Sequence, residues 1–284
     1  CNLTLEGGWV NTQNGKGGGV YIADKGGAVS NCVIRNNNGN DLGGGVNIRG
    51  GLLTHCEITK CNAIPSKGQP CTRIVNVASG RMSNCLIHDC DFRTGGDNAL
   101  RGAGSLINIG ASGIMDNCTV CDVVVSNASP VVYVGVAQGG FDKGAKVVNC
   151  VIFGKDQDGN EAHAWDGGAA WMTPPTVCFR GCVTKEQIQV TYETKNQGMT
   201  GTYTADESNI VADPADCFQN FAGGDYRVKA GGPLVGAGVT TGPGSSTFTL
   251  AVPATDLAGN PRVFKELDIG CYEGYSRGLT VIVR

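Results

Sequence analysis

Charge is scarce in this chain. Asp, Glu, Lys and Arg make up 17% of its 284 residues, against roughly a quarter in an ordinary globular domain. The 22 Lys and Arg are scattered and the formal net charge is −3. No basic stripe is available to hold a phosphate backbone, which argues against nucleic acid as a partner. Long apolar runs are also lacking: none approaches the ~20 residues that span a bilayer, so no transmembrane segment is expected. The first residues lack the basic-then-apolar pattern of a secretion signal. Either a signal has been removed or the chain is part of a longer one. Cys1 fits a cysteine acylated after signal cleavage, yet Cys1-Asn2-Leu3-Thr4-Leu5 also fits the internal repeat described next, and ordinary core is the preferred reading. No amphipathic helix covers the amino end, so a longer chain or another molecule is expected there.

What is abundant is glycine, 45 residues, and cysteine, 14 residues. The cysteines keep time. Cys1, Cys32, Cys56, Cys85, Cys118, Cys150 and Cys182 are spaced by 31, 24, 29, 33, 32 and 32 residues. Around them runs the consensus G-x-[VLM]-x-N-C-x-[IV], as in Gly27-Ala28-Val29-Ser30-Asn31-Cys32-Val33-Ile34. The cysteine and the Ile or Val two residues later share one strand face and point inward. The apolar residue three before the cysteine breaks that parity, which predicts a bend with Asn31, Asn84, Asn117 and Asn149 at the corner, where left-handed backbone suits asparagine. A second short apolar run, such as Val46-Asn47-Ile48 or Leu106-Ile107-Asn108-Ile109, precedes each motif.

Units of this length made only of short strands cannot bury their own apolar faces, so they must stack. The fold class is all-β, a parallel β-helix of about seven coils over residues 1–185, with an irregular β-rich tail, residues 186–284, packed on it. Six steps at the ~4.8 Å strand spacing make a rod segment of about 29 Å. Val33, Leu86, Val151 and Val183 fall on the outer face, and apolar columns there need a cover. The tail can supply it.

The repeat resembles the right-handed parallel β-helix proteins of the pectin-lyase-like superfold. The tail carries Gly224-Asp225-Tyr226-Arg227-Val228, Gly232-Pro233-Leu234, Asp256-Leu257-Ala258-Gly259-Asn260-Pro261-Arg262 (DLAGNPR) and Asp268-Ile269-Gly270-Cys271-Tyr272-Glu273 (DIGCYE). These resemble the ending of bacterial secreted β-helix proteins of the choice-of-anchor type. The chain departs from that ending at Val235-Gly236, where Ile-Asp is usual. The resemblance implies export, an extracellular or cell-surface setting and no defined reaction.

Stacked cysteines on parallel strands have Cβ atoms about 4.8 Å apart, whereas a disulfide needs roughly 3.8 Å. The ladder therefore reads as free thiols acting as small apolar filler. Cys61 and Cys90 form a second short column. Cys71, Cys178, Cys217 and Cys271 lie outside the main column and are the better disulfide candidates. Cys118-x-x-Cys121 is a weak zinc motif, since alternation sends its two side chains to opposite faces.

Catalytic signals are thin. His88, Asp89 and Asp91, with Arg35 two coils away, are the acid–base candidates, and a solvated loop is the simpler reading of them. The long insertion at residues 154–175 carries Trp165, Trp171, His163 and Asp166, a set suited to a sugar ring. Packing of the tryptophans onto the rod is the competing reading. Asp156, Asp158 and Asn160 resemble the start of a calcium loop without its distal bidentate Glu. At the other end, Leu279–Val283 has the pattern of a strand able to fold back on the rod or to complement a neighbouring copy, giving a homo-oligomer or filament. The expected function is an exported, surface-associated solenoid with a structural, adhesive or glycan-binding role, its partner a polysaccharide or surface glycan. The alternative is a carbohydrate-active enzyme, most plausibly a polysaccharide lyase, otherwise a glycoside hydrolase.

Overall fold

The computed structural model describes residues 2–10, 17–39, 43–63, 73–92, 104–127, 129–135, 145–167, 178–193, 200–204, 207–240, 249–262 and 266–274. It is all-β, 45% strand, and its parallel sheets form a solenoid of about five turns. Eight strands make the first sheet: Leu3–Glu6, Cys32–Arg35, Glu57–Thr59, Leu86–His88, Thr119–Cys121, Val151–Ile152, Val183–Thr184 and Ile210–Val211. The second sheet stacks the short strands Trp9–Val10, Asn38–Gly39, Asn62–Ala63, Asp91–Phe92, Val124–Val125 and Lys155–Asp156. The third is built on Val20–Ile22, Val46–Ile48, Val75–Ser83, Ile107–Asp116, Val132–Val134 and Trp165–Gly167.

Two sharp corners per coil make the three sheets possible. The first lies just before the cysteine, where Asn31, Asn84, Asn117 and Asn149 stand at φ 54°, 54°, 48° and 53°, joined by His55 at 53°. The second lies four residues after the cysteine, at Asn36, Lys60, Asp89 and Asp122, with φ between 48° and 53°. Left-handed backbone costs an L residue about 1–2 kcal/mol, least for Asn and Asp. The sequence reading found the first corner and missed the second, because Asn, Lys and Asp share no obvious pattern there.

Inside the rod, Ile34, Ile58, Ile87, Val120 and Ile152 form a fully buried column beside the cysteines. Each ladder thiol donates to the carbonyl two residues earlier, just ahead of the corner: Cys56 to Thr54 at 3.2 Å, Cys85 to Ser83 at 3.3 Å, Cys118 to Asp116 at 3.1 Å and Cys150 to Val148 at 3.2 Å. Cysteine thus fills space like a small hydrophobe while supplying a weak donor to a carbonyl that the corner turns toward the core. Burial pushes the Cys85 and Cys150 thiols well above their ordinary range, which leaves them protonated and inert.

Three expectations are corrected. Cys32 pairs with Leu3, and Cys1, which lies outside the described residues, is not its register partner. A slip of two residues keeps every side chain on its face, so the motif at Cys1 could not reveal it. The rod has about five turns rather than seven. Beyond residue 185 the chain leaves as an antiparallel hairpin, Gln189–Glu193 with Thr200–Thr204, and returns to the first sheet at Ile210–Val211. Cys178, Cys217 and Cys271 are free thiols rather than disulfide partners; Cys71 lies outside the described residues.

Asn209 stands where the next ladder cysteine after Cys182 would be. Its Oδ1 accepts from the Cys182 amide at 2.9 Å and its Nδ2 donates to the Phe179 carbonyl at 3.1 Å. An amide here closes the hydrogen-bond edge that the thiol column leaves open at this end.

The tail covers the outer face of the first sheet, as the apolar column requires. Leu86, Cys121, Val151, Phe153 and Val183 from the rod join Cys217, Phe218, Tyr226, Val228, Leu234, Ile269 and Cys271 in a second core. Thr119, Val151 and Val183 are at most 1% exposed despite facing outward. At roughly 1.5–3 kcal/mol for each large apolar side chain buried, this second core is a substantial part of the total stability. Cys118 lies in the first core and Cys121 in the second, so the pair that resembled a zinc motif is split between the two faces of a strand.

Candidate functional site

The tail spans the first sheet from one corner to the other. On one side Tyr226 donates its hydroxyl to Asp122 Oδ2 at 2.7 Å, and Asp122 is a second-corner residue. Opposite, it docks on the first-corner ladder. Asn149 donates from Nδ2 to the Val239 carbonyl and accepts from the Val239 amide, both at 2.8 Å. His55 Nε2 lies 3.0 Å from the Thr255 carbonyl, and Asn84 Nδ2 donates to the same oxygen at 3.2 Å. Left-handed backbone aims these corner side chains outward, so residues chosen for the bend are also placed to hold the tail.

At the centre of this clasp is Arg262, whose side chain is wholly buried. Its Nε and Nη2 donate to Asn84 Oδ1 at 3.2 and 2.7 Å, its Nη1 to Glu273 Oε1 at 3.0 Å, and its Nη2 also to the Gly270 carbonyl. Asp268 accepts from the Gly236 and Gly274 amides at 2.6 and 2.5 Å. Asp256 accepts from Asn260 N, Asn260 Nδ2 and the Glu273 amide at 2.7, 3.0 and 3.0 Å. The DLAGNPR and DIGCYE motifs therefore form one buried polar network, fastened to the rod at Asn84. Gly270 reaches the rod surface itself: it adopts φ 98°, and a Cβ there would lie 2.7 Å from Thr119 Oγ1.

His88 sits at the edge of the same interface. Its Nε2 is 2.9 Å from Glu57 Oε1, its Nδ1 is 3.1 Å from Asp89 Oδ2, and its ring lies 5.4 Å from that of Tyr226. Burial alone would lower its pKa, but the hydrogen bond to Glu57 and the charges of Glu57 and Asp89 outweigh it and hold the imidazole above its ordinary value. The hydrogen bond from His88 in turn lowers Glu57. With a carboxylate within hydrogen-bond distance of each ring nitrogen, a protonated His88 donates at either end, and both nitrogens are engaged by the protein.

The remaining candidates are dispersed. Arg35 is paired with Glu6 at 2.5 Å, two coils from His88. Asp91 belongs to the second sheet, in register with Asn62 and Val124. Trp165 is only 8% exposed, in the third sheet against Phe179 with ring centroids 5.2 Å apart, so its faces are spent on the core. His163 is exposed and lies 3.2 Å from Glu186 Oε1, and Asp166 is exposed on the Trp165 strand. Trp171 and Leu279–Val283 lie outside the described residues.

Asp156, Asp158 and Asn160 form a turn already satisfied by protein donors. Asp156 Oδ1 accepts from the Asp158 and Asn160 amides at 2.9 and 2.8 Å, and Oδ2 from Asn160 Nδ2 at 3.1 Å. That hydrogen bonding, led by the Asn160 side chain, lowers the Asp156 pKa. Asp256–Asn260 repeats the turn, with both bonds from the asparagine to the Asp carboxylate kept at Asn260 and the same backbone bonds closing it. The D-x-x-G-N pattern here encodes a self-capped turn, and among the described residues no group of three or more His, Cys, Asp or Glu side chains is arranged to hold a metal ion.

One exposed aromatic was missed in the sequence. Trp9, 60% exposed, stands on the outer face of the second sheet and is in register with Asn38, Asn62 and Asp91 on successive coils. An indole face followed by partly exposed amide and carboxyl residues every ~4.8 Å, with Asn38 Oδ1 and Asp91 Oδ1 themselves buried, offers chiefly a stacking surface at Trp9 with polar groups in line behind it. Its signal was the Trp9 pairing register, which depends on strand alignment across the first, irregular coil.

Together these features define a class: a three-sheet parallel β-solenoid whose first sheet is closed on its outer side by a C-terminal module. No protein-family model, curated protein or solved structure matches the chain.

Proposed function

We propose that this chain is an exported, surface-associated solenoid with a structural, adhesive or glycan-binding role. The carrying observation is the occupied outer face of the first sheet: the module packs over Leu86, Val151 and Val183, so among the described residues that part of the face is covered by protein. The bound state of His88 points the same way. The Trp9, Asn38, Asn62 and Asp91 column is the surface assigned to glycan, replacing Trp165 in that role. Export and a cell-surface setting rest on the resemblance of the DLAGNPR and DIGCYE segments to choice-of-anchor endings. Leu3 and Val211, each 56% exposed on the two terminal strands of the first sheet, are where end-to-end self-association is assigned; scattering mass that stays monomeric at all concentrations would refute that part.

A polysaccharide lyase or glycoside hydrolase is the second reading, carried by the closeness of His88, Glu57, Asp89 and Tyr226. The test of both is a glycan array combined with a screen of acidic polysaccharides for unsaturated or reducing products. Retention that is lost in Trp9→Ala, without products, supports the first reading. Turnover abolished by His88→Gln supports the second.

A further inference from the structure

The clasp holds more acid than base. Three buried carboxyl groups, Asp256 (0% exposed), Asp268 (3%) and Glu273 (side chain 6%), share one hydrogen-bond network with the guanidinium of Arg262, which pairs directly with Glu273. Fully ionised, they would leave an excess of two negative charges out of water, which is costly unless a proton is taken up. The hydrogen bonds are unevenly shared among the three. Asp256 accepts three N–H donors and Asp268 two short ones. Among the described residues Glu273 accepts from Arg262 at 3.0 Å and otherwise from the Asp268 amide alone, at 3.3 and 3.4 Å. Burial pushes Glu273 up to about 7, Arg262 opposing and Asp268 adding to the effect.

A second titratable group sits across the same interface. His88 lies between Glu57 on the neighbouring coil and Asp89 on its own, which hold its pKa above the ordinary value, and against Tyr226 of the module, whose hydroxyl is bonded to Asp122. Arg35 faces Glu57 from the far side.

We propose that the C-terminal module is a proton-dependent latch, held shut over the first sheet in mildly acidic medium and loosened as the medium becomes alkaline. The sign follows from linkage. A carboxyl whose closed-state pKa is raised stabilises the closed form fully below its free value, and that stabilisation is lost as pH rises through about 7. The carboxylates that raise His88, Glu57 and Asp89, both belong to the rod and stay beside it when the module opens, so the pH dependence is carried by Glu273. For Glu273 alone, the closed-to-open ratio falls about tenfold between pH ~6 and ~8, from the ratio of its proton-bound fractions in the two states.

The thiols of Cys121, Cys217 and Cys271 lie under the module, whereas Cys85 and Cys150 lie inside the rod. Alkylation of each, mapped by mass spectrometry from pH ~5.5 to ~8.5 and normalised to the unfolded chain at the same pH, reads the latch directly. The expected result is a loss of protection of about tenfold at the first three between pH ~6 and ~8, with the rod thiols still protected, and a Glu273→Gln variant that stays closed across the range. Backbone hydrogen exchange of Leu257 and Gly274 on the unaltered chain, corrected for intrinsic rates, gives the same readout if that variant does not fold. Protection independent of pH, rod thiols opening together with the module, or a Glu273→Gln variant with undiminished pH dependence would each overturn the proposal.

Discussion

Asn84 is predicted to matter more for holding the module than for bending the chain, and the two contributions are separable. Its backbone sits at φ 54°, a conformation glycine adopts without penalty. Replacement by glycine therefore keeps the corner and removes only the side chain. What is lost is the acceptor for Arg262 Nε and Nη2 at 3.2 and 2.7 Å and the donor to Thr255. A hydrogen bond to a charged group contributes about 1.5–3 kcal/mol, and the buried guanidinium left short of an acceptor adds to the loss. Asn84→Gly should cost about 2–4 kcal/mol, and Asn84→Ala about 1 kcal/mol more from left-handed strain. Asn31, at the same corner with the same φ of 54° but exposed, is the control: Asn31→Gly should change stability by less than about 0.5 kcal/mol. Urea titration followed by far-ultraviolet circular dichroism, with alkylation of Cys271 as the signal for module release, measures both. Equal costs for Asn84→Gly and Asn31→Gly would refute the assignment of Asn84 as the anchor of the clasp.

Other consequences are as direct. Cys85→Ser keeps the donor to the Ser83 carbonyl but buries a more polar atom and should cost about 1–2 kcal/mol, whereas Cys85→Val loses only a weak thiol bond and should cost less; urea midpoints of the two variants settle the order. Gly181 stands at φ 60° in the corner ladder, and a Cβ there would fall 2.5 Å from Asn149 Oδ1 and 3.1 Å from Val239 Cγ2. Gly181→Ala should therefore lower the melting temperature and speed alkylation of Cys271, and unchanged values would contradict the placement of Val239 on Asn149. Added calcium or a chelator should leave the melting temperature unchanged, since the Asp156 carboxylate is filled by N–H donors; a calcium-dependent rise would show that the turn opens to bind the ion.

The repeat was legible because it obeys local rules. Period-2 alternation placed Cys56 and Ile58 inside, parity change placed Asn84 at a corner, and apolar Leu86, Val151 and Val183 on the outer face required a cover that the tail provides. What could not be read were relations that depend on partners far along the chain. Arg262 and Asn84 are 178 residues apart, and nothing local to either announces the other. Trp165 carried the composition of a binding loop but lies in register with Val132 of the third sheet, which buries it. Trp9 looked unremarkable until strand pairing put it in line with Asn38 and Asn62. The turn at Asp156 and its twin at Asp256 differ only in setting: one is solvent-exposed, the other is roofed by the Glu273 amide, and that difference is tertiary.

The central claim is that this rod binds along its surface and performs no cleavage on the closed face of its first sheet. It is tested most directly by incubating the chain and its Trp9→Ala variant with an immobilised library of acidic and neutral polysaccharides, scoring retention and released products in the same wells. Retention by the unaltered chain, loss of retention in Trp9→Ala and no product in either is the predicted result. Appearance of unsaturated or newly reducing ends, abolished by His88→Gln and indifferent to Trp9, would contradict the account.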